Sequence, residues 1–112
     1  MKRALFVILA ASLLLISGRV QAEVLNFSCV EPDDPSGAEL VRVDTKTHVV
    51  ILTDPGEQPI RGIAQVNGTT IVVGGFPAVG GRAAGSWSMT INRSTGASID
   101  SDGSSGTCRL VR

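Results

Sequence analysis

Cys29 and Cys108 stand near the two ends of what remains once an export leader is set aside, and no third cysteine accompanies them. In an oxidising compartment such a pair is expected to join. The bridge would close a loop of about 80 residues, which the chain-entropy model values at roughly 4.5 kcal/mol, less any strain. It would also hold the first and last extended segments within a Cα separation of about 4.4 to 6.8 Å. The chain is therefore restricted to folds whose beginning and end meet.

The leader sets the compartment. Lys2 and Arg3 supply a positive start, Ala4 to Ile16 an apolar run, and Gly18 a break before the small-residue end Val20-Gln21-Ala22. Cleavage after Ala22 divides the chain into a signal peptide, 1–22, and a single domain, 23–112. The apolar run is short for a bilayer span, and no second one follows, so no stable membrane span is expected after processing. Lipid attachment would need a cysteine at the cleavage point, and Cys29 lies beyond it. The expected location is periplasmic or secreted.

Removal of the leader leaves 90 residues of which about 37% are apolar, a lean core for which a covalent cross-link matters. Lys2, Arg3 and Arg19 depart with it while all ten acids stay, so the domain carries seven bases against ten acids. That sign, and the scattering of Arg42, Arg61, Arg82, Arg93 and Arg109, argue against nucleic acid as a partner, because phosphate binding needs a clustered basic face.

Glycine and proline cut the domain into short extended pieces and leave little room for helix. Leu25, Phe27 and Cys29 alternate with Asn26 and Ser28, a half-buried strand with its cysteine inward. The stretch Glu31 to Gly37 breaks it. Glu39 to Asp44 and Thr47 to Thr53 read as a hairpin around a turn at residues 44–46, and Asp54 to Pro59 ends the second arm. Asn67-Gly68 predicts a type I′ turn between arms Ile60–Val66 and Thr69–Val73. After a glycine-rich passage, Trp87, Met89 and Ile91 alternate with polar residues, and Arg93 to Gly96 turns the chain. Ala97 and Ile99 are expected to point inward. A turn over residues 102–106 then leads to a last strand, Thr107 to Val111, with Cys108 and Leu110 on one face.

Seven to eight short strands at hairpin spacing predict an all-β domain, either a small antiparallel barrel or a two-sheet sandwich, with one disulfide joining first and last strands.

Catalytic constellations are scarce. His48 is the sole histidine, which excludes histidine-rich zinc sites, and two paired cysteines leave no thiolate set; no metal or cofactor is expected. His48 could serve a serine nucleophile with Asp44, yet no Gly-x-Ser-x-Gly elbow marks such a serine, and a solvated strand-end histidine is the simpler reading. Asp33 and Asp34 are adjacent on a proline-bounded loop rather than facing across a cleft. Asp100, Asp102 and Ser104 alternate as calcium ligands do, but Gly103 comes early and the closing glutamate is missing, so a solvated turn is expected.

The run Gly74 to Arg82 has glycine at phosphate-loop density without the Gly-Lys-Ser/Thr ending. Its other use is contact. Phe76, Val79 and Arg82 could together form a recognition surface, or Phe76 could tuck into the end of the barrel. Trp87, the single tryptophan, alternates with Met89 and Ile91 and is expected in the core. Asn26, Asn67 and Asn92 each begin a glycosylation-type triplet, though turn and strand roles account for Asn26 and Asn67.

The segment Ser86-Trp-Ser-Met-Thr-Ile-Asn-Arg-Ser-Thr-Gly96, the later Gly106-Thr-Cys108 and the early Asn26-Phe-Ser-Cys29 together resemble small exported bacterial β domains of unknown function. Those domains combine an early cysteine, an Ile-Asp/Asn-Arg-x-Thr-Gly hairpin and a late Gly-x-Cys. The resemblance implies export and a cross-linked β fold. In layout the chain is more distantly similar to periplasmic inhibitors of C-type lysozyme, antiparallel barrels with an early and a late cysteine. It differs from them in having no tyrosine, and no inhibitory residue is carried over.

The function expected is that of an exported, non-catalytic binding or interaction module of the bacterial periplasm, whose partner is a protein or small ligand. Inhibition of a cationic lysozyme and a structural role in the envelope are the alternatives.

Overall fold

A computed structural model describes residues 23–78 and 83–111. The leader, with the cleavage point read from it, lies outside the described residues. Eight strands follow one another: β1 (Val24–Glu31), β2 (Asp34–Asp44), β3 (Val49–Thr53), β4 (Ile60–Asn67), β5 (Thr70–Gly74), β6 (Met89–Asn92), β7 (Ala97–Asp100) and β8 (Ser105–Leu110). Each pairs antiparallel with the next, and β1 pairs with β8, so the sheet closes into an up-and-down barrel. Of the two architectures open to the sequence, the barrel is the one formed. Closure leaves no unpaired edge, which a two-layer sandwich would retain.

The seam that closes the barrel is short. Phe27, Ser28, Cys29 and Val30 face Leu110, Arg109, Cys108 and Thr107, and the disulfide lies within it. Cys29 and Cys108 are direct cross-strand partners with Cα atoms 3.9 Å apart, below the range expected from the sequence. Both are buried.

The interior is packed with side chains. Val41, Val43, Val50, Ile71, Val73 and Ile91 are almost wholly enclosed, and full burial of an aliphatic side chain of this size contributes roughly 1.5–3 kcal/mol. No buried side chain in the described core is charged or polar. Phe76 and Trp87 cap one end with ring centroids 5.8 Å apart and planes tilted by 46°.

Four features depart from the sequence reading. The proline-bearing break is only a two-residue turn, Pro32-Asp33, because β2 begins at Asp34. An irregularity of the ladder takes up Pro35: between the pairs Cys29–Glu39 and Glu31–Asp34, Val30 alone stands opposite residues 35–38, where Pro35 has no ladder bond to donate.

The hairpin after β4 turns one residue later than expected. Asn67 pairs with Thr70, so Gly68 and Thr69 are the central residues, and Gly68 alone has positive φ, at 62°. That is the type II′ pattern, which asks for glycine at the first central position, rather than type I′. The shift sets Val73 opposite Ala64 and leaves Gly62 facing the chain beyond β5.

Ile99 points outward and is 53% exposed, while Ser98 and Asp100 lean inward. The phase of β7 is fixed from both sides. Ser98 pairs with the wholly buried Ile91 on β6 and with Gly106, two residues from Cys108, on β8. Two locked neighbours override the alternation of one four-residue strand. Leu110 shares the inward phase of Cys108, yet as the last residue of β8 it stays 46% exposed at the barrel rim.

Up-and-down connectivity sorts the connections between two ends. At one lie the turn 32–33, the loop 54–59, the connection 75–88 and the turn 101–104; this is the loop end. At the other, the turn end, lie 45–48, 68–69 and 93–96 with Glu23 and Val111.

Candidate functional site

Sorting the chain by barrel end also sorts most of its charge, Arg61 being an exception at the loop end and Glu23 and Asp44 at the other. Glu31, Asp33, Asp34, Asp54, Glu57, Asp100 and Asp102 fall in or beside connections of the loop end, and Glu39 lies on the same half of β2. Lys46, His48 and Arg93 fall in turns of the opposite end, and Arg109 lies near the end of β8. Acids dispersed from Glu31 to Asp102 are thus gathered by topology at one pole.

A cavity of about 470 Å³ opens at that pole. Its floor holds Trp87 and Met89, one wall holds Cys29 and Gly106, and its rim carries Glu31, Glu39, Asp54 and Asp100. Each part has a local cause. Trp87 precedes β6 and keeps the inward phase of Met89 and Ile91 without itself belonging to the strand, so its ring lies under the opening. Gly106 leaves the wall thin: a Cβ there would stand 2.6 Å from the Val30 carbonyl oxygen and 3.1 Å from Ser98 Oγ.

Asp100 is held by its own turn. Its Oδ1 accepts the N–H groups of Asp102 (3.0 Å) and Ser104 (2.9 Å), and its backbone N–H donates to the Ser104 carbonyl (2.9 Å). This is a side-chain-closed turn, as the sequence suggested for residues 100–104, and its carboxylate is fixed at the cavity rim. Glu31 and Asp54 are exposed, Glu39 half-buried. Among the described residues no three histidine, cysteine, aspartate or glutamate side chains converge as a metal site. The rim carries its carboxylates at separate points, with Asp100 fixed by its own turn.

The proposed recognition residues fare differently. Phe76 is 5% exposed, its ring tilted against Trp87 and lying over Gly62, so it plugs the barrel end and offers no free aromatic face. Val79 and Arg82 lie outside the described residues. The base of their connection is closed by a hydrogen bond from Gly85 N–H to the Phe76 carbonyl, 2.8 Å.

His48 sits at the turn end, with the cavity at the loop end. Its φ is 60°, its N–H donates to the Asp44 carbonyl, and its Nδ1 lies 3.2 Å from the Ala64 carbonyl oxygen. Asp44 Oδ1 accepts the N–H groups of Lys46 and Thr47, which hold its carboxyl below the ordinary value, Thr47 contributing most. Both groups are committed to one tight turn at the end of the barrel away from the cavity.

The residues that sequence reasoning missed are the rim carboxylates. Glu31, Asp54 and Asp100 stand where strands end, and each alone reads as a solvated loop acid. The available signal was that they recur in alternate connections, which an up-and-down barrel brings to one end.

No protein family, curated protein or solved structure matches this chain.

Proposed function

We propose that the chain is an exported, non-catalytic binding module, acting in the periplasm or outside the cell, that holds a cationic ligand or a basic segment of a partner protein at the loop end of its barrel. The cavity with an aromatic and thioether floor and a carboxylate rim carries this reading. Exposed ion pairs contribute only roughly 0.2–1 kcal/mol each, so the rim selects the sign of the partner and speeds encounter more than it holds. Apolar contact with Met89 and the indole edge supplies the rest, at about 25 cal/mol per Å² removed from water. Separation of His48 and Asp44 from the cavity supports a binding role over a hydrolytic one.

Trp87 is the single tryptophan, so its fluorescence reports on the cavity alone. Titration with oligolysine is expected to shift that emission saturably, with oligoglutamate inert and Glu31→Gln with Asp54→Asn weakening the response. Emission unmoved by any cationic peptide, or moved equally by the acidic one, would defeat the proposal.

Concentration of acids at one pole also favours a second reading, inhibition of a cationic lysozyme, in which the acidic end faces the enzyme's basic surface. Peptidoglycan lysis assayed with stoichiometric protein decides it, since undiminished lysis removes that reading while leaving the first intact.

A further inference from the structure

The turn end, opposite the cavity, combines two features that separately mean little. Its rim exposes Val24 (44%), Leu110 (46%) and Val111 (41%), and its exposed cations are Arg42, Lys46, Arg93 and Arg109. They form one neighbourhood. Val111 N–H donates to the Asn26 carbonyl at 2.8 Å, which sets the end of the chain beside the start of β1. Glu23 receives the Thr45 N–H at 3.0 Å and the Arg93 guanidinium at 3.1 Å, so the turns bearing Lys46 and Arg93 meet at the same point.

Between β8 and the 93–96 turn lies a cleft of about 310 Å³, with Leu25, Phe27 and Leu110 below and Arg93 and Arg109 at its sides. Two carboxylates share this end. Glu23 is engaged by Arg93 and the Asp44 carboxylate lies beside Lys46, so the cations Arg42, Lys46, Arg93 and Arg109 outnumber the carboxylates of this end by two.

We propose that this rim docks the barrel peripherally on an anionic lipid surface, Lys46 and Arg109 facing the headgroups and Leu110, Val111 and Val24 entering the interfacial layer. Charge complementarity selects the occupant. Apolar side chains ringed by cations fit a surface whose negative charge overlies an apolar layer, whereas a soluble anion would leave the three aliphatic side chains in water. The acidic pole favours the orientation: in or beside the connections of the far end seven acids outweigh Arg61 and are repelled by the same surface, so the cavity is presented away from it. The inference is independent of what fills the cavity.

Co-sedimentation of the leader-free protein with vesicles tests it. Vesicles containing phosphatidylglycerol in phosphatidylcholine should retain the protein at low salt, and phosphatidylcholine alone should not. Arg109→Ser and Lys46→Ser should each lower partitioning about fivefold, because one cation near an anionic surface contributes about 1 kcal/mol. Leu110→Ser, at a position exposed on the rim, should lower it as well, and thermal melts of all three variants establish that they fold.

Equal partitioning onto the two vesicle types overturns the proposal, as does indifference to both cation substitutions. Displacement by inorganic phosphate at matched ionic strength also overturns it, since that result assigns the cleft to a small soluble anion.

Discussion

The ring of Phe76 lies so close over Gly62 that a Cβ on residue 62 would stand 2.7 Å from its Cε1 and 2.8 Å from its Cδ1. The glycine is required by the plug. Gly62→Ala is expected to lower stability by about 1–3 kcal/mol through overpacking, and Phe76→Ala by about 3–5 kcal/mol through the cavity it leaves. The double variant should be less destabilised than the sum, since removal of the ring relieves part of the clash. The Gly74 carbonyl, which a Cβ would also strike, keeps that relief incomplete. Denaturant melts of the four proteins give the coupling, and strict additivity would show that the two residues do not share space.

Much of this architecture was readable beforehand, and the exceptions have a common cause. The inward phase of Leu25, Phe27 and Cys29 and that of Met89 and Ile91 were legible because alternation in each strand agrees with burial on both neighbours. Ile99 was not, because β7 is too short to set its own phase and inherits it from Ile91 and Gly106. The turn at Gly68 escaped by one residue, since Asn-Gly suits a type I′ turn and only the pairing of Asn67 with Thr70 decides against it. The acidic cavity is farther from the sequence again. Glu31, Asp54 and Asp100 come together only through the closed connectivity, which no local pattern encodes.

Gly96 and Gly103 separate backbone strain from lack of space. Both occupy the left-handed region, with φ of 81° and 89°. Nothing lies within 4 Å of a Cβ built on Gly103, so alanine there should cost only the conformational penalty of about 1–2 kcal/mol. A Cβ on Gly96 would strike the Cys108 carbonyl oxygen, and Cys108 N–H is bonded to the Gly96 carbonyl, so the two strands cannot part freely. Gly96→Ala is expected to cost a further 1–3 kcal/mol or so. Equal melting temperatures for the two variants would contradict this.

Reduction of the disulfide acts on the seam that closes the barrel. With its cysteines 79 positions apart the bridge restricts most of the unfolded chain, and losing a native disulfide from a small domain typically costs about 2–5 kcal/mol. A domain of this size should then melt at least about 10 °C lower with reductant or as the Cys29→Ser, Cys108→Ser double variant. The cavity should suffer too, because Cys29 forms part of its wall, so the Trp87 emission is expected to change on reduction below the melting transition. Identical melts with and without reductant, or two free thiols by mass spectrometry in protein isolated from its native compartment, would refute the argument.

Acid should loosen the 44–47 turn before it reaches the core. Asp44 Oδ1 accepts the N–H groups of Lys46 at 2.9 Å and Thr47 at 3.2 Å, bonds that favour the ionised carboxylate and lower its pKa from 3.8 in the folded protein. A depressed folded pKa means that the unfolded chain binds the proton first. The associated stability is therefore complete above the ordinary value of 3.8 and is lost as pH falls through that value and the lower folded one. Asp44→Asn keeps an acceptor for both N–H groups and removes the titration, so its stability should vary less than that of the parent between pH 4 and the acid limit. Titration of the Asp44 carboxyl carbon by NMR should place its midpoint below that of an unstructured aspartate. A midpoint at or above the ordinary value would show that the two N–H bonds do not persist in solution, and the difference between parent and Asp44→Asn would then vanish as well.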